Sequence, residues 1–285
     1  MRVLSRIGYH LHHLSYTLGR KRVLGSECFR MHGYFPNRFS SDGTDEQSLR
    51  VVIKDILGKT PGAFIDVGAN VGQSFCHLLA IDRTRQYVGF EPQIACCFYL
   101  DQFIRDNDLR NAEVLPVALG DASGFARLAA AGTSDLMASI VGRSPQAIET
   151  DYAFTTVPVV IGDDAIDQLA LSAISIIKID AEGAELAILR GLQRTLRKYR
   201  PALIFEVLPN YRLLKNLEPF SPEVAMANTE SSTAIWDLLT AAGYTIMQID
   251  DDGGTRCIDR FLLDDPTQYV GRDYLAVPMR LSPTS

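Results

Sequence analysis

Phe64-Ile65-Asp66-Val67-Gly68-Ala69-Asn70-Val71-Gly72 runs a short apolar segment straight into a turn punctuated by two glycines. Beyond it, Phe75, Leu78 and Leu79 recur at i, i+3, i+4 spacing, the period of a helix with one buried face. A strand, a glycine turn and a helix in that order form the first half of a βαβ unit. Glycines at such a junction let the backbone approach a ligand, and the first amides of the helix face it.

The same alternation continues outward. Tyr87-Val88-Gly89-Phe90-Glu91 reads as a second strand, Val114 to Leu119 as a third, and Ile174 to Asp180 as a fourth. A helix through Leu186, Leu189 and Leu196 follows, its last turn carrying Arg194, Arg197 and Lys198 where cations suit the helix dipole. Pro201 closes that connection, and Ala202-Leu203-Ile204-Phe205-Glu206 is a fifth strand, continuously apolar as in a sheet covered on both faces. Ser231-Ser232-Thr233 opens a helix over about Ala234 to Ala242, which leads to a strand at Tyr244 to Ile249. After the turn-rich Asp250 to Gly254, the run Tyr274 to Pro278 lacks a preceding crossover helix and is predicted to pair antiparallel. The expectation is an α/β fold on a seven-stranded, mostly parallel sheet with an antiparallel last strand. Residues 122 to 162, with Thr155 to Val160, read as an inserted hairpin or loop.

Several side chains at strand ends can carry chemistry, because ligands of such sheets bind beyond the carboxyl ends of the strands. Asp66 leads the glycine turn and can hold an ammonium, directly or through water; its structural alternative is a turn cap. Asn70 and Gln73 stand where a dinucleotide fingerprint has glycines, which weakens a pyrophosphate reading. Glu91 lies 19 residues after Gly72, at the distance where a carboxylate accepts both hydroxyls of a ribose. Asp121 ends Leu119-Gly120-Asp121 and either contacts an adenine amino group or caps the turn. The densest group is Lys178-Ile179-Asp180-Ala181-Glu182-Gly183-Ala184-Glu185. Lys178 and Asp180 share a sheet face, and a lysine buried there needs a partner. Asp180 and Glu182 can serve as that partner, as a base or as ligands of a divalent metal, and sequence leaves all three open; no metal site is predicted. Glu185 favours the helix N-terminus or pairs with an arginine. His77 reads as packing, and neither a Gly-x-Ser-x-Gly elbow nor a phosphate-binding Gly-Lys-Ser/Thr loop occurs.

In order, the Phe64 to Gly72 stretch, Phe90-Glu91-Pro92, Ala118-Leu119-Gly120-Asp121 and Ile177 to Glu185 resemble the FkbM family of S-adenosylmethionine-dependent methyltransferases. The resemblance spans about residues 50 to 210. It implies a class I methyltransferase, Rossmann-like fold and methyl transfer to oxygen, with hydroxyl or carboxyl acceptors on small molecules, sugars or glycolipids. Carried onto this chain, Asp66, Gly68, Asn70 and Gly72 would hold the methionine part of the cofactor and Glu91 its ribose. Asp121 would lie near the adenine, and Asp180 and Glu182 would border the transfer site. A hydroxyl acceptor must lose its proton, and Asp180, Glu182 or Lys178 in neutral form could take it. Where the family often has Thr-Leu-Asp, this chain has Ile161-Gly162-Asp163-Asp164. Pro209 to Glu230, with Tyr211, Arg212, Lys215 and Phe220, is too long for a plain connection and is expected to cover the acceptor. Two other readings differ in kind: a nicotinamide-dependent oxidoreductase, and a non-catalytic Rossmann-like binding module.

Composition sets the frame. The chain has 285 residues, 47% hydrophobic and 22% charged, which is globular usage and excludes disordered or collagen-like classes. Five cysteines without C-x-x-C spacing suggest neither a disulfide framework nor a zinc site, and fit a reducing cytoplasm. The net charge of -6 divides unevenly, with +6 on residues 1 to 40 and therefore -12 on the rest. Residues 1 to 47 are accordingly read as a basic arm or helical extension, and residues 48 to 285 as the methyltransferase domain. His10, His12 and His13 interrupt the apolar run a cleaved signal needs. The arm suits an anionic membrane surface or the acidic remainder of the chain. Basic and aromatic residues do not interleave, so nucleic acid is not expected.

Overall fold

The computed structural model describes residues 20–24, 26–31, 47–130, 139–140, 153–210, 220–264 and 273–279. In chain order these begin with a hairpin, β1 (Arg20–Leu24) and β2 (Glu27–Met31), then α1 (Gln47–Leu57), β3 (Ala63–Val67), α2 (Gln73–Ile81), β4 (Tyr87–Phe90), α3 (Ile94–Asp106) and β5 (Ala112–Leu115). An insert follows: β6 (Ala118–Gly120), β7 (Gly124–Ala130), β8 (Ser139–Ile140), β9 (Ala153–Ile161) and α4 (Gly162–Gln168). The remainder comprises β10 (Ile174–Ile179), α5 (Glu185–Gly191), α6 (Gln193–Tyr199), β11 (Ala202–Glu206), α7 (Pro222–Ala241), β12 (Tyr244–Ile249), β13 (Thr255–Cys257) and β14 (Asp273–Pro278).

The main sheet runs β13-β12-β14-β11-β10-β3-β4-β5. The five strands from β11 to β5 are mutually parallel, and β14 runs antiparallel to both β11 and β12. This is the doubly wound, Rossmann-like order of the class I methyltransferase fold, with β14 as the reversed last strand. Eight strands stand where seven were expected, because Thr255–Cys257 folds back on β12 across the Asp250–Gly254 turn as an edge hairpin. The order in which successive strands are added reverses between β3, which leads on to β4 on one side, and β10, which leads on to β11 on the other. That switch opens a crevice at the carboxyl ends of these two strands.

Every residue of β3 and β10 is buried, as covering on both faces requires. On one face Ile65, Val67, Ile177, Ile179, Leu203 and Phe205 pack against Ile166, Leu189, Ile235 and Leu239 of the helices α4, α5 and α7. On the other, Phe64, Ile176 and Ile204 meet Ile53, Phe75, Leu78, Leu100 and Phe103 of α1, α2 and α3.

Four local departures from the sequence reading have physical causes. Val114 to Leu119 is two strands rather than one, because Pro116 has no N–H to extend the ladder; Ala118–Gly120 pairs instead with β9 in a four-stranded sheet with β7 and β8. The helix after β10 breaks at Leu192. Asp163, 4% exposed, takes the amides of Arg194 (2.8 Å) and Thr195 (2.7 Å), so a new helix starts there. The last long helix starts at Pro222 with Ser221 as its cap, not at Ser231; Ser232 and Thr233 instead bond back to the Thr229 carbonyl. Arg20–Leu24 and Glu27–Met31 of the basic segment form paired strands rather than a helix. Phe29 and Met31 are buried in the α1–α3 side of the core, and Asn107 exchanges hydrogen bonds with the Arg30 backbone at 2.6 and 2.8 Å. Among the described residues, no helix is long and apolar enough to cross a membrane.

Candidate active site at the switch of the sheet

The glycine turn after β3 is fastened to its neighbours on both sides. Gly68 and Ala69 donate to the Phe90 carbonyl at 2.9 and 3.2 Å, and the Asp180 amide donates to the Val67 carbonyl at 3.0 Å. Gly68 has φ 83°, and a Cβ there would lie 1.8 Å from the Asp180 carbonyl oxygen. Only glycine lets these two loops touch. Gly72 caps α2 in a left-handed conformation and offers no side-chain acceptor to the first helical amides. A ligand carboxylate can take that place.

Glu91, 6% exposed, ends β4 and reaches into this turn. Its Oε2 accepts from the Asn70 amide at 2.7 Å and its Oε1 from the Gln93 amide at 2.7 Å. Asn70 itself sits at φ 49°, so the bond from Glu91 holds a left-handed residue in place. Burial raises the pKa of Glu91 to about 7, against the lowering pull of the two amides. Each carboxylate oxygen keeps a second lone pair for a ligand hydroxyl.

Asp66 is only 1% exposed, and its Oδ2 accepts from the Tyr87 hydroxyl at 2.9 Å. Asp66 therefore acts on the turn from beneath rather than from its surface. Tyr87 was not singled out from sequence, although the signal is readable: Gly89 lies two residues on, on the same face, and pairs in register with Asp66. The tyrosine ring folds back into the space that Gly89 leaves, 3.0 Å from where a Cβ would stand.

After β10, Lys178 (5% exposed) donates to Asp180 Oδ2 at 2.8 Å, which settles the partner the buried lysine needed. Register places Lys178 directly beside Asp66 on β3. The carboxylates of Asp180, Glu182 and Glu206 lie within 4.8 Å of one another. Glu206 escaped the sequence reading as a site residue. Its position was nevertheless legible: the acid ending an apolar strand, one residue past the Ile179–Phe205 pair that brings β10 and β11 together. Three oxygens at this spacing can hold a divalent cation or take a proton from a bound hydroxyl. Glu185 accepts from the amides of Ala181 and Gly183 at 3.0 and 3.2 Å, not from an arginine.

The structure thus brings together the Asp66–Gly72 turn, Glu91, Lys178, Asp180 and Glu182, and adds Tyr87 and Glu206. It does not bring in Asp121. That residue is exposed after β6, and Gly120 before it abuts Gly191 at the far end of α5, whereas the acids precede the first turn of that helix. The splitting of the third strand at Pro116 carries Asp121 away. Of the expected acceptor cover, residues 211–219 lie outside the described residues, and 222–230 belong to α7.

Residues 66–246 match the methyltransferase FkbM domain. No curated protein matches the chain. Among solved structures, an FkbM methyltransferase from Methylobacillus flagellatus KT is 16% identical, with a TM-score of 0.46, over 76% of this chain and 43% of its own. This chain therefore spans less than half the length of that protein. A putative caffeoyl-CoA O-methyltransferase from Staphylococcus aureus is 11% identical (TM-score 0.46, covering 81% of this chain and 83% of the other). The O-methyltransferase from Bacillus cereus in complex with SAH is 12% identical (TM-score 0.43, covering 82% and 81%).

Proposed function

From the premise that the chain belongs to the FkbM methyltransferase domain family, we propose that it transfers a methyl group from S-adenosylmethionine to an oxygen of a small molecule, sugar or glycolipid. The observation that carries this reading is the meeting of Glu91 and the Asp180–Glu182–Glu206 carboxylates across one glycine turn at the switch of the sheet. The residues present fit the cofactor. The uncapped α2 start at Gly72 suits its carboxylate, and Glu91 has lone pairs for two ribose hydroxyls.

The sulfonium supplies an already activated methyl group, so the protein's task is alignment and proton removal. Asp180 and Glu182 accept a hydrogen bond from the acceptor hydroxyl and take its proton as the C–O bond forms and the C–S bond breaks. A carboxyl acceptor arrives ionised and needs alignment alone. Lys178 orients the Asp180 carboxylate through their 2.8 Å contact rather than serving as the base. A divalent cation on Asp180, Glu182 and Glu206 would lower the pKa of a bound hydroxyl.

The test is incubation with methyl-labelled S-adenosylmethionine and a panel of free sugars, uronic acids, glycolipids and phenols, with and without magnesium. Label in an ether or ester product supports the reading. Label on nitrogen or carbon only would contradict it.

A further inference from the structure

We propose that Glu185 is a positioning residue of the transfer reaction, holding the Asp180–Gly183 turn in the shape that sets Asp180 and Glu182 beside Glu206. The inference rests on reading this crevice as a methyl-transfer site, and adds a role for a group that does not itself face the reactants.

Glu185 is the first residue of α5 and is 4% exposed. A carboxylate that merely favours the helix dipole needs no hydrogen bonds to residues that precede the helix. Here one oxygen, Oε1, gathers the amides of Ala181 at 3.0 Å and Gly183 at 3.2 Å. Between those two amides, Glu182 stands at φ 48° and Gly183 at φ 100°. Left-handed backbone at a non-glycine residue is disfavoured, so the turn needs an external tie to persist. Glu185 is that tie, and the residue it holds in the unfavourable conformation is one of the three clustered acids.

The same turn also bounds the cofactor side. The Asp180 carbonyl abuts Gly68, leaving no room for even a Cβ, and the Asp180 amide bonds Val67. These contacts hold the Asp180 backbone without Glu185, so a turn released from Glu185 moves the Glu182 carboxylate and leaves the wall of the glycine loop in place. Burial raises the pKa of Glu185 to about 7, opposed by its backbone hydrogen bonds, so the fold keeps this carboxylate inside at some expense to stability.

The experiment compares E185Q, which keeps an acceptor oxygen at the same reach, with E185A and the shorter E185D. Amide exchange at Ala181 and Gly183, affinity for S-adenosylhomocysteine, and methyl transfer from labelled S-adenosylmethionine to the acceptor panel are measured on each. In E185A and E185D, exchange at both amides rises and kcat falls at least about tenfold, while KM for S-adenosylmethionine stays within about threefold. E185Q restores both readouts to near wild type. Wild-type kcat and amide protection in folded E185A would overturn the assignment, as would equal loss in E185Q and E185A. Failure of the wild type to bind S-adenosylhomocysteine overturns instead the reading on which the role depends. Amide exchange does not require the cofactor, so the two failures remain distinguishable.

Discussion

Glu91 Oε2 accepts the Asn70 backbone N–H at 2.7 Å, joining the end of the second parallel strand to the left-handed corner of the glycine turn. One side chain thus shapes the loop and presents its remaining lone pairs to whatever the loop holds. Glu91→Ala is expected to weaken S-adenosylhomocysteine binding about ten- to a hundredfold, the worth of charge-assisted hydrogen bonds lost at a buried site. Calorimetry on the folded variant checks it; unchanged affinity removes Glu91 from the ribose role.

The pKa of Glu91, raised by burial to about 7, gives binding a pH dependence. Ribose hydroxyls donate best to the ionised form. Affinity should therefore be flat above pH 7 and fall as pH drops through about 7, approaching tenfold per unit. Glu91→Gln should abolish that slope. A wild-type affinity that rises on acidification would contradict the assignment.

Ligand-free stability should move the opposite way. Glu91 and Glu185 both titrate near 7 in the folded chain, well above the ordinary carboxylate range. Their contribution is complete below about pH 4 and is lost as pH rises through about 7, because the unfolded chain ionises first. Urea midpoints measured from pH 5 to 8 should decline, and the decline should lessen in E91Q and again in E91Q/E185Q. A midpoint that climbs over this range in the wild type, with the same climb in the double variant, defeats the argument.

Gly68→Ala places a Cβ 1.8 Å from a backbone oxygen at φ 83°. The clash is with main chain on both sides, so relaxation requires separating the two loops. Destabilisation of about 2 kcal/mol or more is expected from denaturant unfolding, together with loss of cofactor binding. A variant as stable as wild type would mean that the loops are not in contact in solution.

Tyr87→Phe deletes the hydroxyl that bonds the buried Asp66. Removing one partner of a buried charged acceptor costs about 1–3 kcal/mol, here with the Phe75 stacking at 3.9 Å left intact. Thermal melting reads the loss, and no loss would show that Asp66 is satisfied without Tyr87.

Much of this was legible in the sequence. The strands β3, β10 and β11 are unbroken apolar runs, and such runs announce a sheet covered on both faces. The glycine turn, Glu91 and the Lys178–Glu185 block could be placed because strand-end position follows from where the apolar run stops. What escaped depended on pairing between distant strands. Glu206 joins Asp180 only because β11 lies beside β10, and Tyr87 reaches Asp66 only because Gly89 is in register with it. Single residues that interrupt a pattern also misled. Pro116 divides the third strand and so displaces Asp121, while Asp163 breaks the helix through Leu186 and Leu196 by capturing its amides. The expected start of α7 falls about twelve residues late, at Ala234 rather than Pro222, because a serine-threonine cluster looks like a cap wherever it falls.

The most direct test of the central claim is calorimetric titration of the wild-type protein with S-adenosylmethionine, S-adenosylhomocysteine and NADH, repeated on Glu91→Ala. The account predicts saturable binding of the first two, weakened at least about tenfold in the variant, and none of the third. Binding of NADH with no binding of either sulfur ligand would contradict it.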